Sequence, residues 1–232
     1  MKKKLLVLLL ASLVAAVAAG AANAVTPLRP APTPADTDSV LILHGAFNYP
    51  GYWWDHTHIT VAVQAHPNLD PASLAAVHQA IADWDFALRQ EFGGLITLTD
   101  VSDQYTATHK ADIVIHYNPT AGGNVFGGYA VCGAKKCVNV IVRSELIAPV
   151  DFTYPPKYLY YVTMHELGHA LGLGHAQPLT ESTDLMGYGW HWSNGIVPTL
   201  SQCDLDGIAY VFAWALQGID PYPPTQASVA CD

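Results

Sequence analysis

The stretch HELGHALGLGH, from His165 to His175, places three histidines at a spacing that suits a metal ion. Residues four apart lie on the same face of an α-helix, so His165 and His169 can reach one ion from a single helix. A catalytic zinc ion usually takes three protein ligands and keeps a fourth position open for water. His175 is the candidate third ligand. The motif therefore predicts one zinc ion as the cofactor.

Two further residues of the motif have predicted roles: Gly172 turns the chain, and Glu166 acts as a general base. Glycine readily adopts the positive φ angles that end a helix, so Gly172 can turn the chain and bring His175 back to the metal. Glu166 can take a proton from a water molecule whose pKa the metal lowers from about 16 to about 7. The alternatives are a glycine-ended buried helix and a structural zinc site. A structural site has no use for Glu166, so the motif favours metal-assisted hydrolysis.

The motif resembles the HExxHxxGxxH signature of the metzincin metalloproteases, which carry a methionine turn further along the chain. Here Met186 follows His175 by eleven residues, in the run STDLMGY at 182–188. The run LSQCDLDGIAYVF at 200–212 resembles the last helix of the matrixin branch, and a looser likeness covers 59–212. The resemblance implies an α/β, zincin-like fold with a twisted five-stranded mixed sheet, three main helices and an active-site cleft over the HExxH helix.

The resemblance also implies roles for single residues. Glu166 becomes the general base of a zinc-dependent endopeptidase, and Met186 forms an apolar floor beneath the metal. Tyr188 lies two residues after that methionine, as in astacins and serralysins, where the tyrosine can bind zinc and stabilise the transition state. Lining the substrate pocket is the alternative role for Tyr188. Cys203 replaces the first aspartate of the matrixin pair, and Asp204 keeps the second.

Two other functions fit the same motif. One is a narrow-specificity processing peptidase, which needs a closed cleft or an acidic group that binds a free amine. The other is a secreted zinc-dependent binding or adhesion module in which hydrolysis is vestigial. The intact Glu166 argues against the second function, so the sequence favours hydrolysis of internal peptide bonds.

The N-terminus predicts export. Three lysines at 2–4 precede an apolar run of 15 residues and an A-x-A cleavage signal that ends at Ala24, so 1–24 is predicted to be a signal peptide. The apolar run is shorter than the roughly 20 residues that span a bilayer, and a retained anchor is the alternative. Residues 25–38 are rich in Pro, Ala and Thr and predict a flexible leader. This leaves 39–232 as one catalytic domain, with an extracellular or periplasmic location.

The charge balance excludes several classes of partner. The chain has 10 Lys and Arg against 19 Asp and Glu, and loss of the three signal lysines takes the formal net charge from −9 to −12. Nucleic acids and anionic membranes attract clusters of Lys and Arg, which are missing here. We therefore expect a monomer that acts on a protein or peptide, without nucleic acid and, after signal cleavage, without a membrane. Calcium stays open as a further ion, but the acidic residues lack EF-hand spacing.

Four cysteines are an even number, which favours disulfides in an oxidising compartment. Cys132 and Cys137 are near neighbours, and Cys203 can tie Cys231 in the C-terminal tail to the last helix. We predict the pairs Cys132–Cys137 and Cys203–Cys231. The other connectivities and a cysteine metal site are the alternatives. No cysteine precedes Cys132, so an inhibitory propeptide cysteine of the matrixin type is not expected.

Hydrophobic periodicity predicts the elements around the motif. Asp70 caps a helix that has Pro71 at its first position and extends to about Phe92. Its apolar stripe is Leu74, Val77, Ile81, Trp84 and Leu88. Strands are predicted at 59–64, 95–101, 111–117, 125–131 and 138–143. The motif helix is predicted to begin near Lys157. By resemblance, the strand at 125–131 is an antiparallel edge beside the cleft, to which an extended peptide can add.

Two hypotheses concern side chains outside the motif. His56 and His58 could form a second metal site, although the remaining histidines show no shared ligand spacing. An aromatic loop directly follows Met186 and could shape the pocket for the residue after the cleaved bond. Its members are Tyr188, Trp190, His191 and Trp192.

Overall fold

The computed structural model describes residues 39–42, 54–67, 69–117, 128–132, 137–142, 145–147, 151–153, 156–177, 184–187, 197–224 and 228–230. The predicted signal peptide (1–24) and leader (25–38) lie outside the described residues, so both stay predictions. None of the described helices is both long enough and apolar enough to cross a bilayer.

The described part of the chain contains ten strands, four α-helices and a short 3-10 helix, Ser102–Gln104. The strands are β1 (Ser39–Ile42), β2 (His58–Gln64), β3 (Thr97–Asp100), β4 (Ile113–Tyr117), β5 (Gly128–Cys132), β6 (Cys137–Val142), β7 (Glu145–Ile147), β8 (Asp151–Thr153), β9 (Leu173–Gln177) and β10 (Ser228–Ala230). The helices are α1 (Pro71–Phe92), α2 (Pro156–Leu171), α3 (Gln202–Val211) and α4 (Ala213–Gln217).

A five-stranded sheet lies at the centre of the fold, with the order β3-β2-β4-β6-β5. Strands β3, β2, β4 and β6 are parallel, and β5 runs antiparallel to β6 at the edge. The predicted five-stranded mixed sheet and its antiparallel edge strand are confirmed. The predicted strand boundaries differ from the observed ones by up to about three residues, which is ordinary for pattern-based boundaries.

Helix α1 forms as its sequence predicts. The carboxylate of Asp70 accepts a hydrogen bond from the backbone N–H of Ser73 at 2.9 Å, and Gly93 ends the helix with a φ of 60°. Four members of the predicted stripe, Val77, Ile81, Trp84 and Leu88, are buried, whereas Leu74 is half-buried. Burial of this stripe joins α1 to the sheet and to α2.

Two tryptophans form hydrogen bonds with the backbone of α2, the helix that carries the histidine motif. The indole N–H of Trp54 donates to the backbone carbonyl of Ala170 at 3.0 Å, and the indole N–H of Trp84 donates to the carbonyl of Met164 at 2.8 Å. Both indole rings are fully buried. Because the two acceptors lie on different turns of α2, the bonds hold the position of the helix along its axis as well as its depth in the core.

A small sheet with the order β10-β1-β9 was not predicted. Its strands have three to five residues, too few to produce a clear alternation of apolar and polar residues. The chain after Gly172 enters β9, which carries His175 and pairs with β1. A hairpin of β7 and β8 is a second element that the sequence did not predict.

The C-terminal region contains the predicted last helix as α3, followed by the short helix α4. A capping box starts α3, because Ser201 and Asp204 exchange side-chain and backbone hydrogen bonds. Cys203 is disulfide-bonded, and its predicted partner Cys231 lies outside the described residues. Cys132 is the register partner of Cys137 in the β5–β6 ladder, which agrees with the other predicted pair. Both pairings stay predictions.

Candidate metal centre

The fold brings His165, His169 and His175 together. Their nearest ring nitrogens all lie within 4.8 Å of one another. The ring centroids of His165 and His169 are 4.5 Å apart, and His175 lies 5.3 Å and 4.8 Å from them, respectively. Helix α2 carries the first two histidines, and β9 carries the third. Among the described residues, no other group of three or more His, Cys, Asp or Glu side chains is arranged in this way.

Backbone carbonyls orient two of the three rings. Nδ1 of His165 donates to the carbonyl of Leu185 at 2.7 Å, and Nδ1 of His169 donates to the carbonyl of Leu173 at 2.8 Å. We infer this tautomer because a carbonyl oxygen can only accept. Nε2 of each ring then keeps its lone pair, and this is the usual arrangement of a histidine that binds a metal.

Burial keeps the three histidines neutral. Desolvation lowers the pKa of His165 well below its ordinary value, and the neighbouring histidines lower it further. Burial, followed by the charge of His175, lowers the pKa of His169 to about 4. Burial also lowers the pKa of His175. A neutral imidazole is the form that binds a metal, so the cluster is ready for a cation at neutral pH without losing protons.

Glu166 is buried beside the first histidine of the cluster. Burial raises its pKa to about 8, and its Oε2 atom has no hydrogen-bond partner in the described part of the chain. A buried polar atom without a partner is costly unless a further group completes it. A zinc ion with its water molecule is such a group. The three nitrogen donors and this carboxyl oxygen therefore fit a catalytic zinc site.

Gly172 ends α2 in a conformation that other residues rarely adopt. Its φ is +112°, and its N–H donates to the carbonyl of His169 at 3.0 Å. A Cβ on this residue would lie 3.0 Å from both methyl groups of Val211. Both the backbone angle and the close approach of α3 require glycine here. The predicted role of Gly172 as the end of the motif helix is confirmed.

The methionine turn links α2 to β9. The Asp184 carboxylate accepts from the N–H of Met186 at 2.9 Å, and the carbonyl of Met186 accepts from the N–H of Ala176 at 2.8 Å. The middle residue, Leu185, is the one whose carbonyl holds the ring of His165. Met186 itself is fully buried. One short turn thus contacts both elements that carry the histidines.

Two buried carboxyl groups connect this turn to α3. Asp184 and Asp204 are almost completely inaccessible to solvent. Burial, and next the adjacent carboxyl of Asp184, raises the pKa of Asp204 well above its ordinary range. Burial and the repulsion between the two carboxylates therefore both favour the protonated form of Asp204. The sequence did not single out Asp184; an acid in the run before Met186 was the available signal.

The other predicted site residues have mixed outcomes. Tyr188 and the aromatic residues 190–192 lie outside the described residues, so their roles stay predictions. The structure does not bring His56 and His58 together as a metal site: the ring of His56 lies 2.7 Å from a carboxylate oxygen of Asp55, and that of His58 lies 2.9 Å from the hydroxyl of Thr97. The described residues contain no metal cluster that includes either histidine.

Three features define a metzincin-type zinc metalloprotease: a helix with two histidines, the glycine that ends this helix, and a third histidine beside a methionine turn. This chain has all three. Comparison with protein families agrees: the matrixin family model matches residues 52–213, which is more than half of the chain. The chain therefore belongs to the matrixin family. No curated protein is similar enough to count as a match.

Solved structures of zinc-protease relatives show weak similarity. Archaemetzincin from Methanopyrus kandleri is 16% identical, with a TM-score of 0.42, and the match covers 68% of this chain and 97% of that one. High choriolytic enzyme 1, a hatching-enzyme zinc protease from the medaka Oryzias latipes, is 17% identical, with a TM-score of 0.30 and coverage of 53% and 50%. Similarities this low add nothing to the argument from the site.

Proposed function

We propose that the protein is a secreted zinc-dependent endopeptidase. The observation that carries this proposal is the cluster of the neutral histidines His165, His169 and His175, together with Glu166, which follows His165 on α2 and is buried with its Oε2 atom unpartnered. These three histidines would hold the zinc ion. Bound there, zinc supplies a Lewis acid that polarises the carbonyl of the substrate and lowers the pKa of an attacking water to about 7.

Glu166 moves the proton in this mechanism. Its carboxylate accepts a proton from the attacking water and later delivers it to the nitrogen of the leaving amine. Burial raises the pKa of Glu166 in the metal-free protein, and a cation bound by the histidines would favour the charged carboxylate, which is the form that accepts the proton. Tyr188 would assist by donating to the oxyanion of the transition state.

The edge of the sheet supports an extended peptide as the substrate. Strand β5 is the last strand of the described sheet and runs antiparallel to β6. Helix α2 lies against both strands, so the edge runs beside the helix of the metal centre. An extended chain can add to such an edge through main-chain hydrogen bonds, which accept many side-chain sequences. Export, predicted from 1–24, would deliver the enzyme to protein substrates outside the cell.

The test is cleavage of quenched-fluorescent casein by the purified protein, with and without a zinc chelator. Glu166→Gln keeps the size of the side chain and removes the base, so we expect activity to fall by about 10²–10⁴-fold at unchanged zinc content. Glu91→Gln, on the exposed end of α1, is the matched control and should retain activity. Zinc is measured in every sample by mass spectrometry.

The alternatives give different results in this assay. Stoichiometric zinc without cleavage of casein or of varied peptide libraries would reject the endopeptidase and favour a binding module. Cleavage of only one or a few peptides would favour a processing peptidase. Full activity in Glu166→Gln would reject the proposed base.

A further inference from the structure

A β-bulge lies at His175, in the pairing of β1 with β9. The register pairs of these antiparallel strands are Ser39 with Gln177, Val40 with Ala176, and Ile42 with Leu173. Between the second and third pairs, β9 has two residues, Gly174 and His175, where β1 has only Leu41. The extra residue on β9 therefore lies at the third histidine of the metal centre.

Such a bulge sets the direction of a side chain. In a regular strand successive side chains point to opposite faces of the sheet. An extra residue bends the strand, increases its twist and re-aims the side chains beside it. The bulge at His175 can only exist against a partner strand, and that partner is β1. The direction of His175 therefore depends on a segment more than a hundred residues earlier in the chain.

The other side of β9 faces the methionine turn. The N–H of Ala176 donates to the carbonyl of Met186 at 2.8 Å. Opposed residues of an antiparallel ladder alternate between hydrogen-bonded and non-hydrogen-bonded pairs. The N–H of Ala176 points to the methionine turn and therefore away from β1. Ala176 and Val40 thus form a non-hydrogen-bonded pair. The hydrogen bonds from β1 to β9 then belong to Ser39 and Leu41, and the backbone of Val40 faces β10, its other neighbour.

We propose that β1 is a positioning element for the third metal ligand and that the backbone of Leu41 is its positioning group. Strand β9 is held between β1 and the methionine turn, and β1 is held in turn by β10 and α3. Proteolytic removal of the leader up to residue 38 preserves the metal centre, whereas removal of 39–42 weakens it. This inference rests on the proposed zinc ligands.

The test compares two proline variants, because proline removes a backbone N–H. Leu41→Pro removes the N–H that faces the bulge, and Val40→Pro removes the one that faces β10. We expect Leu41→Pro to weaken zinc binding by about tenfold or more, as measured by competition with a chromogenic chelator. The absorption bands of the Co²⁺-loaded protein should change as well, because they report the geometry of the ligands. Val40→Pro should keep the zinc affinity and the cobalt bands of the wild type.

Wild-type zinc binding is measured first, so that the two proposals can be separated. If the wild type binds no zinc, the proposed function fails. If the wild type binds zinc and Leu41→Pro matches it in affinity and cobalt spectrum, the role of β1 is overturned. Equal weakening in both proline variants also overturns the assignment to Leu41.

Hydrogen exchange of the wild type covers the case in which Leu41→Pro does not fold. If docking of β1 strengthens zinc binding, zinc must strengthen the docking of β1 by the same factor. Zinc should therefore slow exchange at the amide of Leu41. Unchanged exchange in 39–42, with slower exchange in α2, would overturn the inference.

Discussion

The sulfur of Met186 lies against Gly168, in the space that a Cβ at residue 168 would occupy. The methyl carbon of Met186 lies 3.2 Å from that position, and Cζ2 of Trp84 lies 3.5 Å from it. Gly168 directly precedes His169 of the histidine cluster, so the methionine turn packs against the turn of α2 that carries the motif. The absence of a side chain at residue 168 is what lets the two segments approach each other.

Gly168→Ala should destabilise the protein by about 1–3 kcal/mol, because the new methyl group forces the buried Met186 away. Met186→Ala alone should cost about 2–5 kcal/mol through the cavity that it leaves. In the double variant the alanine methyl fills part of that space, so the combined loss should be smaller than the sum. Urea unfolding of the metal-free proteins measures all three values. Strict additivity would show that the two residues do not share this space.

Gly172→Ala should cost more stability than Gly218→Ala. Both glycines have positive φ, +112° and +66°, but only a Cβ at residue 172 meets other atoms, the methyl groups of Val211. Gly218→Ala should therefore cost only the backbone strain, about 1–2 kcal/mol. Zinc affinity should fall in Gly172→Ala alone. Adding Val211→Ala to Gly172→Ala should recover part of the stability; no recovery would assign the whole effect to the backbone angle.

The metal-free protein should have its stability maximum near pH 6.5. The folded-state pKa of Glu166 is raised from 4.5 to about 8, so its contribution is fully present below pH 4.5 and is lost as the pH rises toward 8. The folded-state pKa values of His165, His169 and His175 are all lowered from 6.5, that of His169 to about 4, so their contributions are present above pH 6.5 and are lost as the pH falls. Below pH 6.5 these three groups together outweigh the opposing change of Glu166. Urea midpoints in chelator between pH 5 and 9 measure both limbs.

Glu166→Gln separates the contribution of Glu166 to the pH dependence of stability from that of the histidines. The neutral amide cannot ionise, so the variant should lose less stability between pH 6.5 and 8 than the wild type does. Its acid limb should be steeper than that of the wild type, because the histidines are unchanged and the opposing loss from Glu166 between pH 4.5 and 6.5 is absent. Parallel profiles for wild type and variant above pH 6.5 would contradict the raised pKa of Glu166.

Asp184→Asn should preserve or raise stability at neutral pH, and Asp184→Ala should lower it. The amide oxygen of asparagine can still accept from the N–H of Met186, while its NH₂ group can donate to the carboxylate of Asp204. Alanine leaves the N–H of Met186 and the carboxyl of Asp204 without these partners, at a cost of about 1–3 kcal/mol. Urea unfolding at pH 7 compares the variants. Equal losses would show that the two carboxyl groups do not share a proton.

The histidine cluster and the central sheet could be predicted because their signals are local. The spacing of His165 and His169 follows from one helical turn, and the alternation in β2 is visible over seven residues. Strand β1 gave no such signal, since four residues after a polar leader show no period. Its pairing depends on the position of β9, which a single sequence does not reveal.

Other features of the site depend on packing between segments that are distant in sequence. The need for glycine at residue 168 comes from Met186, eighteen positions later, and the need at residue 172 comes partly from Val211. The raised pKa of Asp204 depends on burial beside Asp184, and this burial exists only after the methionine turn and α3 have packed together. Composition and periodicity do not reveal which distant segments pack together.

The two indole hydrogen bonds to α2 also bear on the order of folding. Trp54 precedes its acceptor Ala170 by 116 residues, and Trp84 precedes Met164 by 80. A chain that grows from its N-terminus therefore presents both tryptophans long before α2 exists. Docking of the helix closes large loops, which is slow compared with formation of the helix itself. The ability to bind metal therefore depends on the docking of the histidine helix across long loops, and not on formation of the helix alone.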